Sequence, residues 1–120
     1  MDMKAKIFVG GDATGKTRVA KLIAEYVGIN NTLFVDGKEL FNQHNINKVF
    51  QKISESTKLI IVDDCHPNLN FEQLFHVIDN LKFSISIIFT TNHLFINDPK
   101  YGHSFFERFE IVEFPLSLIK

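Results

Sequence analysis

Gly10-Gly11-Asp12-Ala13-Thr14-Gly15-Lys16-Thr17 brings together the groups needed to hold a polyphosphate. Glycines at 10 and 15 let the backbone wrap tightly and turn its N–H groups inward, where they and a helix N-terminus present partial positive charge to an anion. Lys16 adds an ammonium that can reach the β- and γ-phosphates of a nucleotide, and the Thr17 hydroxyl can ligate Mg²⁺. The spacing fits G-x-x-x-x-G-K-(S/T) without a mismatch. The plainer alternative is a glycine turn that merely starts a helix. The flanks favour phosphate binding, because Ala5 to Val9 reads as a strand and Arg18 to Val27 as a helix stopped by Gly28.

Two further sets of residues could serve the same chemistry. The apolar run Leu59-Ile60-Ile61-Val62 ends in Asp63-Asp64 and resembles a Walker B motif. In that reading Asp63 holds Mg²⁺ through water, while Asp64 orients or deprotonates an attacking water. Two carboxylates solvating a strand end is the alternative. Most ATPases of this kind carry Glu where Asp64 stands, so the carboxylate here sits on a shorter arm. The third set is Thr91-Asn92, after the strand-like Ser84 to Phe89, which looks like the sensor-1 motif of AAA+ and superfamily III ATPases, where a polar residue can bond both a γ-phosphate and a water. An Asn that merely ends a strand is the alternative.

These groups need a common scaffold. The helix over 18–27 is expected to turn Val19, Ile23, Tyr26 and Val27 inward. Thr32 to Val35 reads as a second strand, stopped by Asp36-Gly37. Asp36 reads as the first residue of an Asp-Gly turn, with a place near the nucleotide as the alternative. Lys38 to Asn42 reads as a short turn of helix. From Asn45, the residues Ile46, Val49, Phe50 and Ile53 keep helical spacing, and so do Phe71, Leu74, Phe75, Ile78 and Leu81 behind a capping Asn70. Leu59 to Val62 has the continuous apolar character of a strand buried on both faces, and Phe109 to Phe114 supplies a fifth strand. Alternating strands and helices predict an α/β sheet with helices on both faces, whose ligands lie beyond the carboxyl ends of its strands. The phosphate loop, Asp63-Asp64 and Thr91-Asn92 all fall at that edge.

Composition excludes several other classes. The chain has 120 residues, expected to form a single domain over 1–120, with 45% hydrophobic and 22% charged residues. No apolar run approaches a membrane span, and the first residues are not expected to be a signal peptide. A net charge of −1 without a basic block gives no broad footprint for nucleic acid. With Cys65 the only cysteine, no internal disulfide can form, and a reducing cytoplasm is expected. Cys65 reads as a small apolar filler. Histidines 66, 76, 93 and 103 lack a consistent metal-ligand spacing. The density of Phe105, Phe106, Phe109 and Phe114 reads first as core and otherwise as a subunit or partner surface.

Thr91-Asn92-His93-Leu94, Asn97-Asp98, Phe105-Phe106 and Arg108-Phe109-Glu110-Ile111-Val112 before Phe114-Pro115 together resemble the ATPase core of phage- and poxvirus-type primase-helicases. Those belong to superfamily III within the AAA+ class of P-loop NTPases. The resemblance covers almost the whole chain as an abbreviated core. It implies a three-layer fold with a five-stranded, mostly parallel sheet of order 5-1-4-3-2, ATP as the nucleotide, a sensor role for Asn92 and an arginine-finger position for Arg108. Such a finger contacts the γ-phosphate of a neighbouring subunit's ATP and offsets charge on the transferred phosphoryl group. Arg108 flanked by Glu107 and Glu110 could equally be ion-paired on the surface.

The chain departs from that family by carrying Glu107-Arg108 where two basic residues are common. It also has room for only one helix between Asp64 and Ser84, and no lid helices follow the fifth strand in the residues given. Translocation along DNA is therefore not expected of this chain alone. The function expected is Mg²⁺-dependent ATP binding with slow hydrolysis. The alternative is a nucleotide-dependent interaction module with little turnover, whose partner would be another copy or a replication-type protein. A small-molecule kinase ranks last, for want of room for an acceptor pocket.

Overall fold

The computed structural model describes residues 5–11, 14–40, 43–65, 76, 80, 85–92 and 109–114. Five strands form one sheet: β1 (Ala5–Val9), β2 (Thr32–Asp36), β3 (Leu59–Asp63), β4 (Ser86–Thr91) and β5 (Phe109–Glu113). Their order is β2-β3-β4-β1-β5, and every neighbouring pair is parallel. This is the order 5-1-4-3-2 that the family resemblance implied. Two helices, α1 (Lys16–Val27) and α2 (Gln43–Phe50), are described between the strands. No helix among the described residues is long and apolar enough to cross a membrane.

Strand parity divides the core into two layers. Ile7 and Val9 of β1, Ile60 and Val62 of β3 and Ile87 and Phe89 of β4 face Ile46, Val49 and Phe50 of α2. Phe8, Leu59, Ile61 and Ile88 face the other way, onto Ala20 and Ala24 of α1. The helices thus cover opposite faces, and the inner strands are apolar on both sides, as strands covered by helices on both faces must be. Small residues at 20 and 24 let α1 lie close to the sheet. Val19, Ile23 and Val27 flank that seam as expected, but Tyr26 is 93% exposed. It lies two residues beyond Ala24, roughly 200° around the helix from the buried stripe.

Several boundaries differ from the sequence reading. Helix α1 starts at Lys16, directly on the loop, and α2 ends at Phe50, so Ile53 packs from a turn rather than from the helix. The expected turn of helix over 38–42 is instead a 3-10 turn over Gly37–Glu39, capped by Asp36, whose Oδ1 accepts the Lys38 N–H at 3.0 Å. The Asp-Gly turn reading holds. β4 runs two residues further than expected because its ladder with β1 continues through Phe8↔Thr90 and Val9↔Thr91. Thr90 and Thr91 are consequently inside the strand and buried. The helix expected over 71–81 lies outside the described residues apart from His76 and Asn80.

Candidate functional site

The site forms where β1, β3 and β4 end beneath the first turn of α1. Gly15 takes a left-handed φ of 92° and opens the helix without any side-chain cap. The Val19 N–H is the first to close back, onto the Gly15 carbonyl at 2.9 Å. The amides of Lys16, Thr17 and Arg18 therefore have no intrahelical partner and are suited to an anion. Gly10 is needed for a different reason. A Cβ there would stand 2.7 Å from the Phe114 carbonyl oxygen and 2.8 Å from Thr14 Oγ1, so the close passage of the loop over the end of β5 admits no side chain.

Lys16 is buried and spends its three donors on the site itself. Its Nζ bonds the carbonyls of Gly10 at 2.6 Å and Gly11 at 2.8 Å, and Asn92 Oδ1 at 2.8 Å. The ammonium thus stands between the loop and the end of β4. A phosphate oxygen reaching that ammonium would offer it a stronger, charged acceptor than a carbonyl.

Parity also explains how the carboxylates arrive. Leu59 and Ile61 face α1, so Asp63, the next residue in that alternation, does too, and so does Thr90 after Ile88. Asp63 Oδ1 accepts the Thr17 hydroxyl at 2.9 Å and the Thr90 hydroxyl at 2.6 Å. Asp64 follows with a φ of 61°, the only non-glycine residue with positive φ among those described. Its N–H, turned off the ladder, is taken by Thr90 Oγ1 at 2.8 Å, and its Oδ2 pairs with Lys38 Nζ at 3.1 Å. A strained backbone beside a cluster of polar groups is a frequent mark of function.

Thr14, Gly15, Lys16, Thr17, Arg18, Asp63, Asp64, Thr90 and Asn92 line one cavity of about 320 Å³, within the range of small-ligand pockets. Its chemistry fits a hard cation with a polyphosphate. The Thr17 hydroxyl and Asp63 carboxylate are oxygen donors in contact, and Mg²⁺ typically uses one or two such groups with substrate phosphates completing its shell. No cluster of three His, Cys, Asp or Glu is present among the described residues.

The structure therefore brings Gly10, Gly11, Thr14, Gly15, Lys16, Thr17, Asp63, Asp64 and Asn92 together, while Asp12, Ala13 and Arg108 lie outside the described residues. Sequence reasoning missed Thr90 and Lys38. A threonine interrupting the apolar run of β4, and a lysine just after the strand end at Asp36, were the available signals. Cys65 is buried beside the site, and burial, with Asp63 and Asp64 nearby, pushes its thiol well above the usual range. It packs as an apolar filler, as expected.

The model of the family described as ATPase family associated with various cellular activities (AAA) matches residues 6–115. The chain belongs to the AAA family of ATPases. The match gives the site its broad meaning, nucleotide binding of the ATPase type. This AAA chain is also similar to a mutant RuvB from Thermotoga maritima, with a TM-score of 0.67 and 18% identity. The similarity covers 92% of this chain but only 38% of the RuvB chain, so the AAA fold described here spans well under half of that relative. No curated protein sequence matches the chain.

Proposed function

We propose that the chain binds Mg²⁺-ATP at this cavity and hydrolyses it slowly, as an ATPase core of the superfamily III type, working in the cytoplasm. The observation that carries this is the convergence of Lys16, Thr17, Asp63 and Asn92 on one cavity under an uncapped helix N-terminus. Residues 10–17 cradle the phosphates and Lys16 exchanges a carbonyl for a phosphate oxygen. Thr17 and Asp63 hold the metal, which when bound neutralises phosphate charge. Asn92 and Asp64 position the attacking water. Arg108 acts on the ATP of a neighbouring copy, so turnover depends on assembly, since a finger of this kind contributes ~10³–10⁵ in rate.

Phosphate release measured over a protein concentration series tests this, with Asp63→Asn and Arg108→Ala beside wild type. Specific activity should climb with concentration and fall in both variants. Activity that is flat with concentration and indifferent to Arg108 would remove the finger and the assembly from the reading.

A second reading, a nucleotide-dependent interaction module, is favoured by one observation: the Asp64 carboxylate is engaged by Lys38. A carboxylate held by an ammonium is less free to orient a water. Tight ATP binding without phosphate release at any concentration, plus a partner that recognises only the ATP state, would select it.

A further inference from the structure

β4 carries Ile87, Ile88 and Phe89 and then Thr90, which is 1% exposed. A hydroxyl so deeply buried costs free energy unless its donor and acceptor capacities are both used. Both are used at the site. The Thr90 O–H donates to Asp63 Oδ1, and the same oxygen accepts the Asp64 N–H. The Thr90 carbonyl takes the next amide as well, accepting from the Cys65 N–H at 2.8 Å. One residue thereby holds three successive residues at the end of β3.

We propose that Thr90 is the positioning residue of this site, its hydroxyl fixing the metal-binding carboxylate of Asp63 and holding Asp64 in its left-handed turn. This rests on the Mg²⁺-nucleotide reading given above. The bond to Asp63 at 2.6 Å has the length of a charge-assisted O–H···O⁻ contact, shorter than the 2.9 Å from Thr17. The Thr17 hydroxyl also serves the metal, so its bond to Asp63 changes with ligand. The Thr90 bond comes from the strand beneath, from a hydroxyl buried in the sheet. A group of this kind behind a metal-binding carboxylate tunes metal affinity without touching the metal. Its removal leaves the loop amides and Lys16 untouched, so metal-free nucleotide binding is spared.

The test is the Kd for a fluorescent ATP analogue, measured with Mg²⁺ and with EDTA, in wild type, Thr90→Val, Thr90→Ser and Lys16→Ala, below every variant's melting midpoint. Removing the hydroxyl in Thr90→Val should shrink the Mg²⁺-dependent gain in affinity by about 10- to 100-fold, leave the EDTA value unchanged, and be rescued by Thr90→Ser. If the valine variant does not fold, Thr90→Ala carries the same comparison. Saturable, Lys16-dependent binding whose Mg²⁺ gain is unchanged without the hydroxyl, or lost equally in Thr90→Ser, overturns this role alone. No binding by wild type, or binding indifferent to Lys16, overturns the nucleotide-site reading and this role with it.

Discussion

Lys16 Nζ donates to Asn92 Oδ1 at 2.8 Å, tying the first turn of α1 to the residue just past β4. The contact puts the sequence's most recognisable cation beside its candidate sensor before any ligand arrives. Under the proposed function, a γ-phosphate near Lys16 would also lie near Asn92.

Replacing Asn92 with Ala should therefore separate binding from chemistry. The loop and its amides are untouched, so ATP affinity should change little. Loss of one positioned polar group should lower kcat by about 10²-fold, read by phosphate release at saturating ATP.

Lys38→Met should act in the opposite direction on turnover. It removes the cation that engages Asp64, and kcat should rise a few-fold with the melting midpoint essentially unmoved, because the pair is largely exposed. The lysine pKa is raised, first by its hydrogen bond to Asp64. A raised lysine pKa means that the pair is fully present below the ordinary lysine range and is lost only as pH climbs through the folded-state value above it. Activity of the wild type should accordingly show no Lys38-dependent step between about pH 6 and 9.

Two neighbouring glycines should respond differently to Ala. At Gly10 the new Cβ meets the Phe114 carbonyl at 2.7 Å, so overpacking of about 1–3 kcal/mol is expected, lowering the thermal midpoint by several degrees. At Gly11 the Cβ meets nothing within 4 Å, and stability should stay within about 0.5 kcal/mol. Calorimetry or far-UV melting distinguishes them.

Cys65 should be silent in the folded chain. It is 3% exposed, its thiol is pushed up by burial, and its Sγ donates to the Val62 carbonyl at 3.6 Å. Because no other cysteine is present, a thiol reagent should label the protein only in denaturant, at a rate that follows unfolding. Labelling of the native protein would contradict the packing described for β3.

The parts of this molecule governed by short-range rules were readable in the chain. Glycine spacing located the loop, and short apolar runs between segments of helical spacing located the strands and their carboxyl edge. Strand order came from family resemblance, since periodicity says nothing of which strands are neighbours. What could not be read were contacts set by distant pairing. The ladder with β1 carries β4 through Thr90 and Thr91, and only then does Thr90 fall beside Asp63. Lys38 reaches Asp64 because Gly37 packs on the Asp64-Cys65 backbone, where a Cβ would lie 2.7 Å from Cys65 Cα. Tyr26 departs from the expected stripe because its i+3 spacing from Ile23 is helical, whereas the buried seam centres on Ala20 and Ala24, roughly 200° around the helix from it.

ATP binding through Lys16 in the cavity under α1 is the proposal on which the other roles depend. The most direct measurement is an equilibrium titration of wild type and Lys16→Ala with a fluorescent ATP analogue in Mg²⁺, followed by competition with ATP. Wild type should saturate and release the probe to ATP, and Lys16→Ala should lose about 3 kcal/mol, roughly 100-fold in Kd, while melting as a folded protein. Equal affinity in the two proteins, or no ATP-competable binding in wild type, would contradict the account.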